Sequence, residues 1–305
     1  MPTKPRTLKP PTPRRLPRVD FHTHSYHSDG VRSPANLVRR LKQYGVIAGA
    51  LTDHNTVAGV DEAIAAGKRY GVKIYPGIEI YTQYRGRALH LLGLNIDHTH
   101  AKLTAWTNRA QSHRRDWFDA SVDRLRALGF SIPHDARARY RSTYPAFPHL
   151  HDLAGRTPAG RKLLRARFGF LPGLFQFINS YFNEGCPAHV PQLHLPFTTP
   201  QAIALVRQIG GIPILAHPGH HLRWEDDPLI GELKRKGLRG IEVIHPYHNW
   251  HQVEHYQELA EEHHFLVSGG TDYHGDTRLP LYVANPWDYL AVPTSIYRDL
   301  KPHLQ

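Results

Sequence analysis

A chain of 305 residues, 40% of them hydrophobic, can bury a sizeable core, as one large domain or as one domain carrying an insertion. Its single cysteine, Cys186, excludes an intramolecular disulfide and fits a reducing, cytoplasmic compartment, and no apolar run approaches membrane-spanning length. The formal net charge of +12 favours anionic partners such as phosphates or nucleic acid, and the 24 histidines are a large stock of the commonest metal-ligating, acid–base side chain.

Residues 1–18, "MPTKPRTLKPPTPRRLPR", are basic and proline-rich and lack the apolar middle of a secretory signal, so a disordered, solvated arm is expected there. "VDFHTH" then reads as a strand. "SPANLVRRLKQYG" reads as a helix, with Ser33 as N-cap, Pro34 in the first helical position and Gly45 ending it. "VIAGALTD" is a buried strand, "VAGVDEAIAAGKRYG" a helix, and "VKIYPGIEIYT" and "ALHLLGLNI" are strands. Residues 100–195 break the rhythm with a long helix, "WTNRAQSHRRDWFDASVDRLRALG", and a basic, aromatic, irregular stretch, which together read as a mostly helical insertion lidding the site. Alternation resumes with "TPQAIALVRQIGG", a helix capped by Thr199 with Pro200 next, followed by "IPILAHPG", "PLIGELKRKG", "LRGIEVIHP", "NWHQVEHYQELAEEHH" and "FLVSGGTDYHG". Strands alternating with helices imply βαβ units, a mostly parallel sheet and, at this length, a barrel formed by residues 19–99 and 196–305.

Nearly every apolar strand carries a histidine or a carboxylate at or near its end. His22 and His24 lie two apart and so share a face of the first strand. Asp53 and His54 end the second, Glu79 lies near the end of the third, and His90 sits among leucines in the fourth. His217, then Glu242 and His245, then Asp272 and His274 close the later ones. In a parallel barrel such ends converge on one rim. Packing that many titratable groups together without cations is costly, and an imidazole–carboxylate set without thiolate suits zinc, manganese or iron. A carboxylate able to bridge, such as Glu79, points to a cluster, and paired metals clamp an in-line displacement at phosphorus. Asp29 in the turn after the first strand joins the same rim, whereas His27 reads equally as a solvated turn residue.

The segments "DFHTHSYHSDG", "LTDHNT", "PGIEI", "HLLGL", "LAHPG" and "GGTDYHG" resemble, in the same order from Asp20 to about Gly275, the motifs of the PHP (polymerase and histidinol phosphatase) superfamily. The likeness is strongest to its stand-alone branch of nucleoside 3′,5′-bisphosphate phosphatases and 5′-3′ exoribonucleases. The resemblance implies a distorted (β/α)7 TIM-like barrel with a trinuclear metal centre, and two to three divalent ions are the expected cofactors. Carried over by motif, His22, His24, Glu79 and Asp272 hold a first metal. Glu79 bridges to a second held by His90 and His217, and Asp29, His54 and His274 hold a third. Asp20 and Asp53 are expected to orient ligands.

Substrate contacts are expected from the insertion and rim: Arg109, Arg114, Arg115, His149, Glu242 and His245. Relatives tend to carry an "RPH"-like segment where this chain reads "FPH", so Phe147 stands where an arginine is expected while His149 is retained. Tyr140, Tyr144 and Phe147 are candidates for stacking on bases, or for holding the insertion together. The expected activity is a metal-dependent phosphoesterase acting on nucleotides or short 5′-phosphorylated oligonucleotides. The alternatives are a small-molecule monoesterase of histidinol-phosphatase type and a non-catalytic, metal-stabilised binding module.

Overall fold

The computed structural model describes residues 16–191, 197–275 and 285–304. The basic arm expected at residues 1–18 lies outside the described residues as far as residue 15, and Arg18 already belongs to the first strand, β1 (Arg18–Asp20), paired with Val46. The next elements follow the apolar patterning. Helix α1 (Pro34–Gln43) is capped by Ser33, whose hydroxyl accepts from Asn36 N, and it buries Leu37, Val38 and Leu41 at i, i+1 and i+4. Strand β2 (Val46–Leu51), helix α2 (Val60–Tyr70) and strand β3 (Lys73–Tyr84) come next, and β1, β2 and β3 pair in parallel.

Strand β4 (Arg87–Leu94) breaks the parallel pattern expected of the sheet. It pairs antiparallel with β3 in unbroken register from Gly77↔Leu94 to Tyr84↔Arg87, because only Arg85 and Gly86 separate the two strands. Both turn residues have positive φ, 46° and 77°, as a two-residue hairpin requires, and a connection that short cannot cross over to a parallel neighbour. After the insertion come α7 (Thr199–Gln208), β5 (Ile212–Leu215), the one-turn α8 (Pro218–His221), α9 (Asp227–Arg235), β6 (Gly240–Ile244), α10 (Trp250–Glu262) and β7 (Leu266–Gly269), the intervening helices of the insertion being given below. β5 is antiparallel to β4, and β5, β6 and β7 are parallel. The cap of α7 is Thr198, one residue earlier than expected: its hydroxyl accepts from Gln201 N while the Gln201 side chain accepts from Thr198 N.

The sheet runs β7-β6-β5-β4-β3-β2-β1-β8, where β8 (Val292–Pro293) is a two-residue strand antiparallel to the start of β1, leading into α11 (Thr294–Leu300). Beyond β1 and β7 the chain closes the barrel by itself. Phe21 N donates to Gly269 O (3.1 Å), Asp272 N to His22 O (2.8 Å) and His24 N to Tyr273 O (3.0 Å). The result is a distorted (β/α)7 barrel, with Leu92, Leu94, Ile212, Ile214 and Ala216 among the side chains filling its interior.

Between β4 and α7, helices α3 (Ala101–Ala127), α4 (Phe147–Arg156), α5 (Pro158–Phe168) and α6 (Leu174–Tyr181) build a second core around Trp117, Phe118, Leu125, Leu150, Leu153 and Phe177. Each such side chain contributes about 1.5–3 kcal/mol on burial. This helical body docks on the barrel rim through Thr143 N to His27 O (2.9 Å), Thr143 Oγ1 to Thr56 Oγ1 (2.9 Å) and Gln111 Nε2 to Asn55 O (3.0 Å).

Candidate metal centre and substrate cavity

The end of β1 shows how sequence becomes site. Thr23 turns outward and ties its hydroxyl to Ala50 O (2.7 Å), which leaves His22 and His24 on the inner face, both with no solvent exposure. The turn that follows is organised by Asp53, whose carboxylate accepts from Ser25 N (2.7 Å), Ser25 Oγ (2.6 Å) and Ser28 Oγ (2.7 Å), and this places Asp29 beside His54 and His274. A side chain at Gly30 would sit 2.6 Å from His24 O, so the chain can turn here only with glycine. Asp53→Ala leaves three donors stranded and is expected to cost about 2–4 kcal/mol in urea unfolding of the metal-free protein. An unchanged midpoint would show that the turn holds without it.

Glu79 occupies the centre. Its Oε1 lies 2.8 Å from His90 Nδ1 and 3.1 Å from His217 Nε2, and its Oε2 lies 2.8 Å from His54 Nδ1, 3.2 Å from His22 Nε2 and 3.3 Å from His24 Nε2. His90 arrives from early in β4 and not from a strand's C-terminal end, because β4 runs backwards. Burial opposes charge on Glu79, but His54, His22 and His90 outweigh it and hold the carboxyl well below its usual range. Asp272 is held low in the same way by His274 and His22. His217 and Asp272 both adopt positive φ, 25° and 50°, at strain of order 1–3 kcal/mol each.

Atoms able to ligate a metal fall into overlapping groups, each within 4.8 Å: His22, His24, Glu79 and Asp272; His24, Asp29, His54 and His274; His22, His217 and His245; and His90, His217 and His221. Many of these atoms are buried without any aligned hydrogen bond: His22 Nε2, both nitrogens of His24, Asp29 Oδ1, His54 Nδ1, Glu79 Oε2, His217 Nδ1, His245 Nε2 and Asp272 Oδ1. Folded proteins rarely leave even one such atom orphaned, so orphaned atoms on eight residues around one rim are a fit for cations with nitrogen and oxygen ligands.

The surrounding residues divide by what they touch. Glu242 is sealed behind the site, with its carboxylate on His22 Nδ1 (3.1 Å) and on His217 N (2.9 Å). From there it bears on His22 and His217 and does not line the cavity where a substrate contact was expected. His245, also expected to face substrate, lies within a ligand group, with its Nδ1 accepting from Tyr247 N (3.1 Å). Asp20 ties the barrel seam together: it accepts from Thr271 N and Oγ1, from Trp287 Nε1 and from His22 N, and burial pushes its pKa up to about 6 against those bonds.

A cavity of about 600 Å³ opens over this rim. One side is formed by Asp29, His54, Glu79, His90, His217 and His274, and the other by the helical body. Arg114 and His149 line it, while Arg109 and Arg115 do not: Arg109 is exposed, with its guanidinium over the Phe197 ring at 5.6 Å. Sequence reasoning missed Tyr81, whose hydroxyl is 3.2 Å from His54 Nε2, and the entrance arginines Arg139, Arg141 and Arg156. The Arg114 guanidinium is buried between the Trp117 ring (4.3 Å) and the Tyr144 ring (5.0 Å). Tyr144 is fixed within the helical body beneath Arg114, while half-buried Tyr140, bonded to Asp152 (2.7 Å), and half-buried Phe147, packed on Trp117, both line the cavity. His149 accepts at Nδ1 from Ala146 N, and burial lowers its pKa to about 4, so it is a neutral imidazole.

Comparison with known proteins agrees with this geometry. The PHP domain family matches residues 20–130. A 5′-3′ exoribonuclease of Haemophilus influenzae is 32% identical over 260 residues, covering 84% of this chain and 90% of the relative. A 3′,5′-nucleoside bisphosphate phosphatase of Chromobacterium violaceum is 25% identical over 291 residues, covering 95% of this chain and 98% of the relative. The crystal structure of a proposed metal-dependent phosphoesterase of Bifidobacterium adolescentis superposes with a TM-score of 0.74 at 25% identity, over 92% of this chain and 95% of that one. Barrel, rim chemistry and these likenesses agree: the chain belongs to the PHP domain family.

Proposed function

We propose that this chain hydrolyses phosphate esters of nucleotides or of short 5′-phosphorylated oligonucleotides. It would use two or three divalent ions (manganese, zinc or iron) held by His22, His24, Asp29, His54, Glu79, His90, His217, Asp272 and His274. The observation that carries the reading is the set of orphaned buried imidazole and carboxylate atoms converging on Glu79 at the floor of a cavity walled by arginines. Cations bound there would neutralise phosphoryl charge and activate water for in-line attack.

The protein's own groups do the rest. Glu242 fixes the ring of His22, and Asp53 fixes the turn bearing Asp29. Arg114 is a rigid positive charge facing the cavity, suited to a phosphate that arrives at the metals. Helices α3 to α6, within residues 100–195, act as the lid of the barrel formed by 19–99 and 196–305, and exclude water from the reacting phosphate. No described helix is long and apolar enough to cross a membrane. A nucleotide substrate and a lone cysteine fit a cytoplasmic enzyme.

A phosphate-release screen with manganese tests the substrate class, using nucleoside 3′,5′-bisphosphates, mononucleotides, 5′-phosphorylated oligoribonucleotides and histidinol phosphate. Release from the first or third at rates far above histidinol phosphate is expected, and the reverse order would assign the small-molecule alternative. Arg114→Ala is expected to raise KM about 10-fold or more with a smaller fall in kcat, since a charged contact is worth about 1.5–3 kcal/mol. Arg115→Ala, outside the cavity, is expected to leave both constants unchanged. Equal effects from the two would remove Arg114 from the substrate contacts.

A further inference from the structure

We propose that His221 is a further metal ligand, and that with His90 and His217 it makes one position of the centre imidazole-rich and selective for zinc over manganese. The inference rests on the reading that this rim holds cations. It concerns a residue outside the set that the sequence motifs supply.

His217 caps the single turn of α8 and His221 closes it. The ring centroids are 5.2 Å apart, and those of His90 and His221 4.5 Å apart. One ring nitrogen from each of His90, His217 and His221 lies within 4.8 Å of the others. His221 Nε2 and His217 Nδ1 are both buried with no hydrogen-bond partner, and His217 as a whole is only 2% exposed. A neutral imidazole kept for packing alone would leave that nitrogen desolvated for nothing.

The turn is also held in place as a ligand requires. Leu222 N bonds Pro218 O (2.8 Å) and Leu222 is buried in the barrel core. Gly219 N donates to His248 Nε2 (3.0 Å), and Gly219 O accepts from Gln252 Nε2 (3.1 Å) on α10. A side chain at Gly219 would meet Gln252 Nε2 at 2.6 Å, so the turn fits closely against α10. A cation here meets three imidazole nitrogens, with Glu79 Oε1 standing next to the group at 2.8 Å from His90 Nδ1 and 3.1 Å from His217 Nε2. The group of His22, His24, Glu79 and Asp272 offers two nitrogens and two carboxylate oxygens. More imidazole and less carboxylate shifts preference from manganese towards zinc.

Two readouts test this without using turnover. The first is zinc and manganese content per chain, with competitive zinc titration, for the full-length protein and for His221→Ala, each checked by circular dichroism. The expected result is that one zinc weakens about 10-fold or more in the variant while the remaining ions bind as before. The second is the zinc-loaded wild-type structure, in which His221 is expected at about 2.0–2.1 Å from an ion. A folded variant with wild-type zinc affinity, or a loaded structure whose ions lie beyond bonding distance of His221, overturns the assignment and leaves the phosphoesterase reading standing. If the variant does not fold, the wild-type structure alone decides. A wild-type protein that takes up no ions at all overturns both.

Discussion

Glu79→Gln is expected to abolish turnover, by on the order of 10³-fold or more, and to lower the number of divalent ions retained per chain. Five imidazoles, of His22, His24, His54, His90 and His217, lie within 3.3 Å of this one carboxylate. A neutral amide of the same shape keeps the packing but removes the charge shared by neighbouring ligand groups, and it puts a donor in place of one of the two acceptor oxygens. Glu242→Gln provides the contrast. That carboxylate is equally buried but bonds His22 Nδ1 and His217 N, so it would act on the ions through its neighbours, and its loss is expected to cost about 10–100-fold. Steady-state rates and metal analysis on both variants separate the two roles. Equal losses would mean that Glu79 is no more central than a carboxylate that merely aligns a ring.

The part of this site legible in the sequence is the part whose geometry is local. Two histidines spaced by two in an extended segment share a face, and His22 and His24 do, just past the end of β1 on either side of the Thr23–Tyr273 bridge. The reversed strand was also open to local reading. "YRGR" leaves two residues between apolar strands, which only a hairpin satisfies, yet the dominant rhythm of strand and helix favoured a parallel neighbour. Glu242 and His245 show what local periodicity cannot reach. Alternation puts residues three apart on opposite faces, but the register slips between Glu242 and Ile244, and both side chains end up inside.

The insertion gives a similar lesson. Leu103, Thr107, Ala110, Arg114, Trp117 and Ser121 form one buried stripe along α3. Arg114 therefore lies on the packed face, while Arg109 and Arg115 flank it, and that spacing was available to separate the three arginines. What no spacing supplies is the pairing of α3 with the rim, because the docking bond joins residues far apart in the chain, Gln111 with Asn55.

Removing the metals is expected to destabilise the protein by an amount that grows with pH. Burial alone would keep His274 neutral, but the carboxylates of Asp29 and Asp272 outweigh burial and raise its pKa to about 9. In the metal-free protein a proton on this ring does part of the work of a cation. Because the folded pKa lies above the unfolded value of 6.5, that stabilisation is complete below pH 6.5 and is lost as pH rises through 9, a span worth about 3 kcal/mol. His22 and His54 are shifted upward in the same sense, His22 by Glu242 and Glu79 and His54 by Glu79 and Asp29, each against burial. A cation entering the group of His24, Asp29, His54 and His274 must displace such protons, so its affinity climbs over the interval in which the metal-free fold weakens. An ion at a thousand times its dissociation constant adds about 4 kcal/mol. The melting temperatures of loaded and chelator-treated protein should therefore differ by roughly 5–10 °C at pH 7.5 and by more at pH 9. Calorimetry across pH 6.5–9, with proton release measured during metal titration, checks both halves of the linkage. A gap that narrows with rising pH, or metal uptake without proton release below pH 8, would mean that these histidines are not competing with cations for the same carboxylates.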